Sequence, residues 1–315
     1  MLSVVIPAYQ EEKNIPEITR EAAGVLEQAG IDYEMILVDD GSRDGTYAAM
    51  QAAAAENARI RGVRLSRNFG KEAAMLAGLE TARGDCCVIL DADMQHPPDI
   101  LPEMVRLWQG GAKIVQGVKA GRGRENPFYK VCARAFYGAI SRFTGIDFRH
   151  SSDYRLLDRR IIDILVALPE KNRFFRGLSV YYGFPQAEVE FSVNPRRFGD
   201  RNWRTTKLIA YAIDSVSSFT AFPLQITTGL GAVMLVVFLV LGLQTLYNYG
   251  AGRAVEGFTT VILLLLFIAS ALSISLGVIG HYIGKIYEEV KARPPYIIEK
   301  DTAKDKEDGM GSDRR

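Results

Sequence analysis

The chain has 315 residues, 48% of them apolar, enough for the core of one large domain or two smaller ones. Its formal net charge of +1 singles out no class of partner, and no nucleic acid is expected among them. Cys86, Cys87 and Cys132 are odd in number and lack CxxC spacing, which excludes a disulfide framework or a cysteine zinc site and leaves buried thiols in a reducing compartment. The opening MLSVVIPAYQEE has no basic segment followed by an apolar one and a cleavage site, so the N-terminal part is expected to stay in the cytoplasm.

In chain order, residues 2–7 (LSVVIP), 34–39 (EMILVD), 60–65 (IRGVRL) and 86–91 (CCVILD) read as short strands, mostly continuous apolar runs as in a parallel sheet covered on both faces. Helical patterns separate them. The first runs from Asn14, an N-cap candidate, to Ala29 with Ile15, Ile18, Ala22, Val25 and Leu26 on one face. A second begins near Asp44 and a third covers KEAAMLAGLETA before Gly84. This alternation defines a doubly wound α/β domain, whose ligands sit beyond the carboxyl ends of the strands. There lie PAYQEE, DDGSRDG, SRNFGK and DADMQ.

The C-terminal third changes character. No charged side chain occurs from Ser215 to Gly252, and between Gly257 and Gly284 only His281 can ionise. A bilayer core of about 30 Å needs roughly 20 apolar residues, so two transmembrane helices are expected, over about 226–248 and 258–281. Arg196, Arg197, Arg201, Arg204 and Lys207 precede them and Lys285, Lys291 and Arg293 follow, against only Arg253 and Glu256 in the connection; both chain ends are therefore expected in the cytoplasm. WRTTKLIAYAIDSVSSF, ahead of the first span, has the basic and aromatic character of an interfacial helix. The expected divisions are a catalytic domain over 1–200, an interfacial helix over 201–220, a membrane hairpin over 221–290 and a disordered cytoplasmic tail over 291–315.

Asp91 and Asp93 are the first candidates for chemistry. Placed at i and i+2 of a strand end they share a face, and two converging anions suit a hard divalent cation with phosphate ligands of its own. Taken with VVIPAYQEEKNI, ILVDDGSRDGT, LSRNFGKEAAMLAGL and SSDYRLLDRR, the segment ILDADMQHPP resembles the family 2 glycosyltransferases, most of all those acting on polyprenyl phosphates. The resemblance covers about residues 2–220, and the two spans match its bactoprenol branch.

The resemblance implies a GT-A fold, a Rossmann-like and mostly parallel sheet. It implies that Asp91 and Asp93 hold Mg2+ or Mn2+ against a departing nucleotide diphosphate, with Gln95 close by. Pro7, Ala8, Tyr9 and Glu11 would surround the base, and Asp39 and Asp40 would meet the base or ribose, helix capping being the rival role for Asp40. Lys71, in SRNFGK, is counted among the substrate-binding residues. Asp153 would stand beside the acceptor, and Arg122, Arg124, Arg197 and Arg201 are candidates for the lipid phosphate. The chain departs from the family at Arg196-Arg197-Phe198-Gly199-Asp200-Arg201-Asn202-Trp203, where Arg201-Asn202 replaces a Ser-Lys pair.

The expected activity is an inverting, metal-dependent transfer of one hexose, UDP-glucose favoured as donor, to undecaprenyl phosphate at the cytoplasmic face. Membrane lipid, a separate flippase and a downstream transferase are the implied partners, and GLGAVM with Gly277 and Gly280 offers small-residue surfaces for a homo-oligomer. A processive polysaccharide synthase is the alternative, though QxxRW is missing. A non-catalytic sugar-nucleotide or lipid scaffold is a third reading, opposed by the intact DAD, Gln95 and Asp153.

Overall fold

A computed structural model describes residues 1–119, 153–170, 175, 177–178, 182–192, 222–251 and 257–303. The chain divides into two units, Met1–Trp203 with Arg293–Arg315, and Arg204–Ala292. The interfacial segment 203–219 lies outside the described residues.

The first unit is built on one mixed sheet. Strands β1 (Leu2–Ala8), β2 (Tyr33–Asp39), β3 (Ile60–Leu65) and β4 (Cys86–Ile89) form its parallel centre. With β5 (Ile114–Lys119), β6 (Arg155–Asp158), β7 (Gln186–Phe191) and β8 (Ile298–Asp301) the order is β7-β5-β6-β4-β1-β2-β3-β8. Strand β6 runs antiparallel to β4 and β5, and β8 antiparallel to β3. This is the Rossmann-like, mostly parallel GT-A sheet that the motifs imply. Every residue of β1 is buried, as its place in the middle of a sheet covered on both faces requires.

Helices α1 (Ile15–Gln28), α2 (Thr46–Glu56), α3 (Lys71–Thr81), α4 (Leu101–Gln109) and α5 (Arg159–Ala167) complete the unit. The predicted face of α1 buries Ile15, Ile18, Ala22 and Leu26, with Val25 half-buried at its margin. Asn14 holds the N-cap position without capping: its side-chain amide donates to Glu11 instead. Helix α3 lies close on β1, because a Cβ on Gly78 would come within 2.3 Å of Val5 Cγ1. The free thiols of Cys86 and Cys87 are buried in β4, and burial pushes the Cys86 thiol up to about 12.

Two expectations need correcting. Strand β4 ends at Ile89, not Asp91, so the two carboxylates stand on a turn rather than on the alternating face of a strand. The last main-chain bond along this edge is from Leu90 N–H to the Val5 carbonyl, 2.9 Å, beyond which the chain bends to positive φ at Met94. The start of the expected disordered tail, in turn, is structured. Ile298–Asp301 pairs with β3, Asp301 takes a two-toothed bond from Arg61 (2.9 and 2.5 Å), and Thr302 Oγ accepts the Gly62 N–H at 2.9 Å. A polar composition hid this strand, whose partners are polar groups of β3.

The second unit holds α6 (Phe222–Gly250) and α7 (Phe258–Val290), packed against each other. Both are long and apolar enough to cross a membrane, with windows Thr227–Thr245 and Phe267–Val290 at mean hydropathy 2.0 and 1.6. Their large apolar side chains, Phe238, Leu243 and Leu276 among them, face outward. Helix α7 continues nine residues past the expected end at 281, through Lys285, Glu288 and Glu289.

If Asp301 anchors the return strand, Asp301→Ala leaves Arg61 without its carboxylate. The full chain in detergent should lose about 3 kcal/mol of unfolding free energy; a tail without structure would make the change silent.

Candidate active site

Four loops leave the carboxyl ends of β1 to β4, and hydrogen bonds between them fix the pocket floor. Asp40 N–H donates to the Ala8 carbonyl at 2.9 Å, Gln10 N–H to Ser42 Oγ at 2.9 Å, and Glu11 N–H to Thr46 Oγ at 3.0 Å. Glu12 answers by accepting the Gly45 N–H at 3.1 Å. The second and third loops touch directly at Gly41, where φ is +66° and a Cβ would meet the Arg67 carbonyl carbon at 2.3 Å. Of the four residues expected around a base, Pro7 and Ala8 are buried inside β1, which runs one residue further than the sequence suggests and sets Ala8 against Asp39. Tyr9, 41% exposed, is the side chain at the rim, and Glu11 is engaged by Asn14.

Asp39 and Asp40 divide two tasks between them. Asp40 is a brace: its carboxylate accepts the Phe69 N–H at 2.7 Å and the Gly70 N–H at 2.9 Å, fixing the turn from which α3 starts. Burial pushes its carboxyl above the usual carboxylate range, these two bonds oppose the shift, and Asp39 adds to it. Asp39 is fully buried; Oδ1 accepts the Ser42 N–H at 2.9 Å, while Oδ2 has no hydrogen-bond partner among the described residues and lies 3.5 Å from Arg64 Nε.

The first residue of α3 is Lys71, whose ammonium lies 2.6 Å from Asp91 Oδ1 and 2.9 Å from Asp153 Oδ2. Burial alone would lower its pKa, yet the two carboxylates raise it above the ordinary lysine value, so the amine stays charged. Lys71 thereby links the DAD turn to the start of the segment leading into β6, two motifs far apart in the chain. Asp93 Oδ1 accepts the Gln95 N–H at 3.1 Å, closing the turn that Met94 bends at φ 61°, a costly conformation for a non-glycine residue.

His96, which sequence reasoning did not single out, belongs to this constellation. Its Nδ1 is 3.5 Å from Asp91 Oδ2, and its ring stacks on Tyr154 at 5.0 Å and meets Phe191 edge-on at 5.4 Å. Burial lowers its pKa, so the imidazole is neutral; nearby Asp91 opposes this and Lys71 reinforces it. Tyr154 ties the assembly together by donating to the Pro97 carbonyl at 2.8 Å. The adjacency of Tyr154 to Asp153 was the available signal for it. Arg122, Arg124, Arg197 and Arg201 lie outside the described residues.

Among the described residues no three His, Cys, Asp or Glu side chains form a metal cluster. Asp91 and Asp93 offer carboxylate oxygens, the donor type that Mg2+ and Mn2+ prefer, and substrate phosphate and water would have to complete any such shell.

The mostly parallel sheet with these loops at its carboxyl ends has the GT-A architecture. Residues 3–165 match Glycosyl transferase family 2. The chain is 31% identical over 301 residues to a prophage bactoprenol glucosyl transferase homolog of Escherichia coli, covering 95% of this chain and 98% of that one. It is 33% identical over 306 residues to an undecaprenyl-phosphate 4-deoxy-4-formamido-L-arabinose transferase of Aeromonas hydrophila, covering 95% and 93%. The chain belongs to glycosyltransferase family 2. Among solved structures, mannosyl-3-phosphoglycerate synthase of Rubrobacter xylanophilus is similar in fold, with TM-score 0.50 and 19% identity over 69% of this chain and 72% of that one.

Asp40→Ala should strip two N–H groups of their acceptor and cost about 2 kcal/mol in denaturant unfolding. Turnover should fall as well, because the turn carrying Lys71 loses its brace.

Proposed function

We propose that the protein transfers a single hexose, glucose favoured, from a UDP-sugar with inversion to undecaprenyl phosphate at the cytoplasmic membrane face. The observation that supports this reading is the ammonium of Lys71 shared between Asp91 and Asp153; in it Asp91 serves the donor phosphates and Asp153 the acceptor side. The names of the two relatives, one a bactoprenol glucosyl transferase homolog and one an undecaprenyl-phosphate sugar transferase, support the acceptor class.

A phosphate oxygen of the lipid attacks the anomeric carbon on the face opposite the leaving group, the bond to the nucleotide diphosphate breaks, and its electron pair leaves with the diphosphate. Lys71 balances the negative charge that grows there. The acceptor phosphate is already largely ionised near neutral pH, so Asp153 orients acceptor or sugar rather than removing a proton. Asp39 Oδ2 is suited to accept from a base imide or a ribose hydroxyl. Asp91 and Asp93 would hold a divalent cation, which would supply Lewis-acid charge to the diphosphate. The apolar helices α6 and α7 span the bilayer and keep the domain beside its lipid substrate, which raises the effective concentration of both reactants.

The test is transfer of radiolabelled sugar from a panel of UDP- and GDP-sugars to undecaprenyl phosphate, with Mg2+ or Mn2+ and with EDTA, the Asp93→Ala protein beside the wild type. A lipid product bearing one sugar, lost with EDTA and in the variant, is expected. A polymeric product, or donor binding without turnover, overturns the reading.

A further inference from the structure

The C-terminal strand reaches the neighbourhood of Asp39. Arg64, on β3, points its Nε between two carboxylates, 3.5 Å from Asp39 Oδ2 and 3.4 Å from Glu299 Oε2 on β8. Its Nη2 donates to the Ser42 carbonyl at 3.0 Å, and its guanidinium lies 5.7 Å from the centre of the Tyr47 ring. One cation thus touches the end of β2, the loop that follows it, the first turn of α2 and the return strand.

The competition between the carboxylates is the informative feature. Asp39 Oδ2 is buried without a hydrogen-bond partner among the described residues, while its other oxygen and both oxygens of Asp40 already accept backbone N–H groups. An arginine committed to Asp39 would neutralise this remaining acceptor. Glu299 offers the guanidinium a second carboxylate at nearly equal distance and divides its charge. Arg64 and Glu299 have side chains 30% and 47% exposed, so both can adjust to a ligand.

We propose that Arg64 and Glu299 are positioning residues for the nucleoside end of the donor, Glu299 drawing the guanidinium off Asp39 so that Asp39 Oδ2 accepts from the ligand. The inference rests on the donor-pocket reading of Asp39 given above. It makes the strand that follows the apolar helices a working part of the donor site rather than packing alone.

Calorimetric titration of the full chain in detergent with UDP, and with GDP beside it, tests the inference. Glu299→Gln should weaken UDP binding and raise donor KM by up to about fivefold with kcat unchanged. Glu299→Asp should recover most of that loss. In Arg64→Gln protein the further change Glu299→Gln should have no effect, because Glu299 acts only through Arg64. Equal UDP affinity in wild type and Glu299→Gln overturns the inference and leaves the proposed function standing. A Glu299→Gln loss that persists in the double variant, with a lowered thermal midpoint, assigns the residue to packing and also overturns it. A wild-type chain that binds neither nucleotide overturns the proposed function itself.

Discussion

The ammonium of Lys71 can rest between Asp91 and Asp153 only because the chain spends two other features on placing it. Asp40 holds the turn ahead of α3 through two N–H bonds, and Gly78 lets the helix lie against β1. Remove either and the lysine moves relative to both carboxylates. The carboxylates would then face each other's charge in a half-buried site, where repulsion is stronger than in water. Geometry at the strand ends is therefore bought by a buried carboxylate whose charge is itself disfavoured, a conflict typical of functional sites.

Much of this was legible in the sequence, and the parts that were not share a cause. The parallel strands announced themselves as apolar runs, and motifs at their carboxyl ends located the pocket. Sequence left Asp40 a rival helix-capping role without its partners; only the positions of the Phe69 and Gly70 N–H groups show it bracing a turn, while Asp39 Oδ2 has no hydrogen-bond partner among the described residues. A strand pleat was expected to set Asp91 and Asp93 on one face, whereas the chain has left the sheet before Asp91 and turns at Met94. Strand β8 escaped notice because IEKD carries its pairing in polar groups, and hydrophobic periodicity cannot report a strand whose burial comes from Arg61 and Asp301. His96 went unremarked for a similar reason. Its meaning lies in Tyr154 and Phe191, both distant in sequence.

The two units obey different solvents. In the first, the buried carboxylates of Asp40 and Asp301 and the Tyr154 hydroxyl each bond backbone or a charged side chain, while Asp39 Oδ2 has no hydrogen-bond partner among the described residues. In the second, α6 and α7 satisfy their own backbone and turn large apolar side chains outward, an arrangement that is costly in water and ordinary in hydrocarbon. Among the described residues, the hydroxyls of Thr227 and Thr245 bond back to carbonyls within α6.

The pairing of β8 with β3 also imposes an order in time. Arg61 and Asp301 are 240 residues apart, and both apolar helices are made between them. At ribosomal speeds of about 5–20 residues per second, β3 waits on the order of tens of seconds as an open sheet edge. During that interval Arg64 has no Glu299 to turn to and only Asp39 to pair with. A nascent chain thus carries this edge of its sheet in an unfinished state until its apolar helices have been synthesised, and among the described strands the last to be made is the one that covers β3.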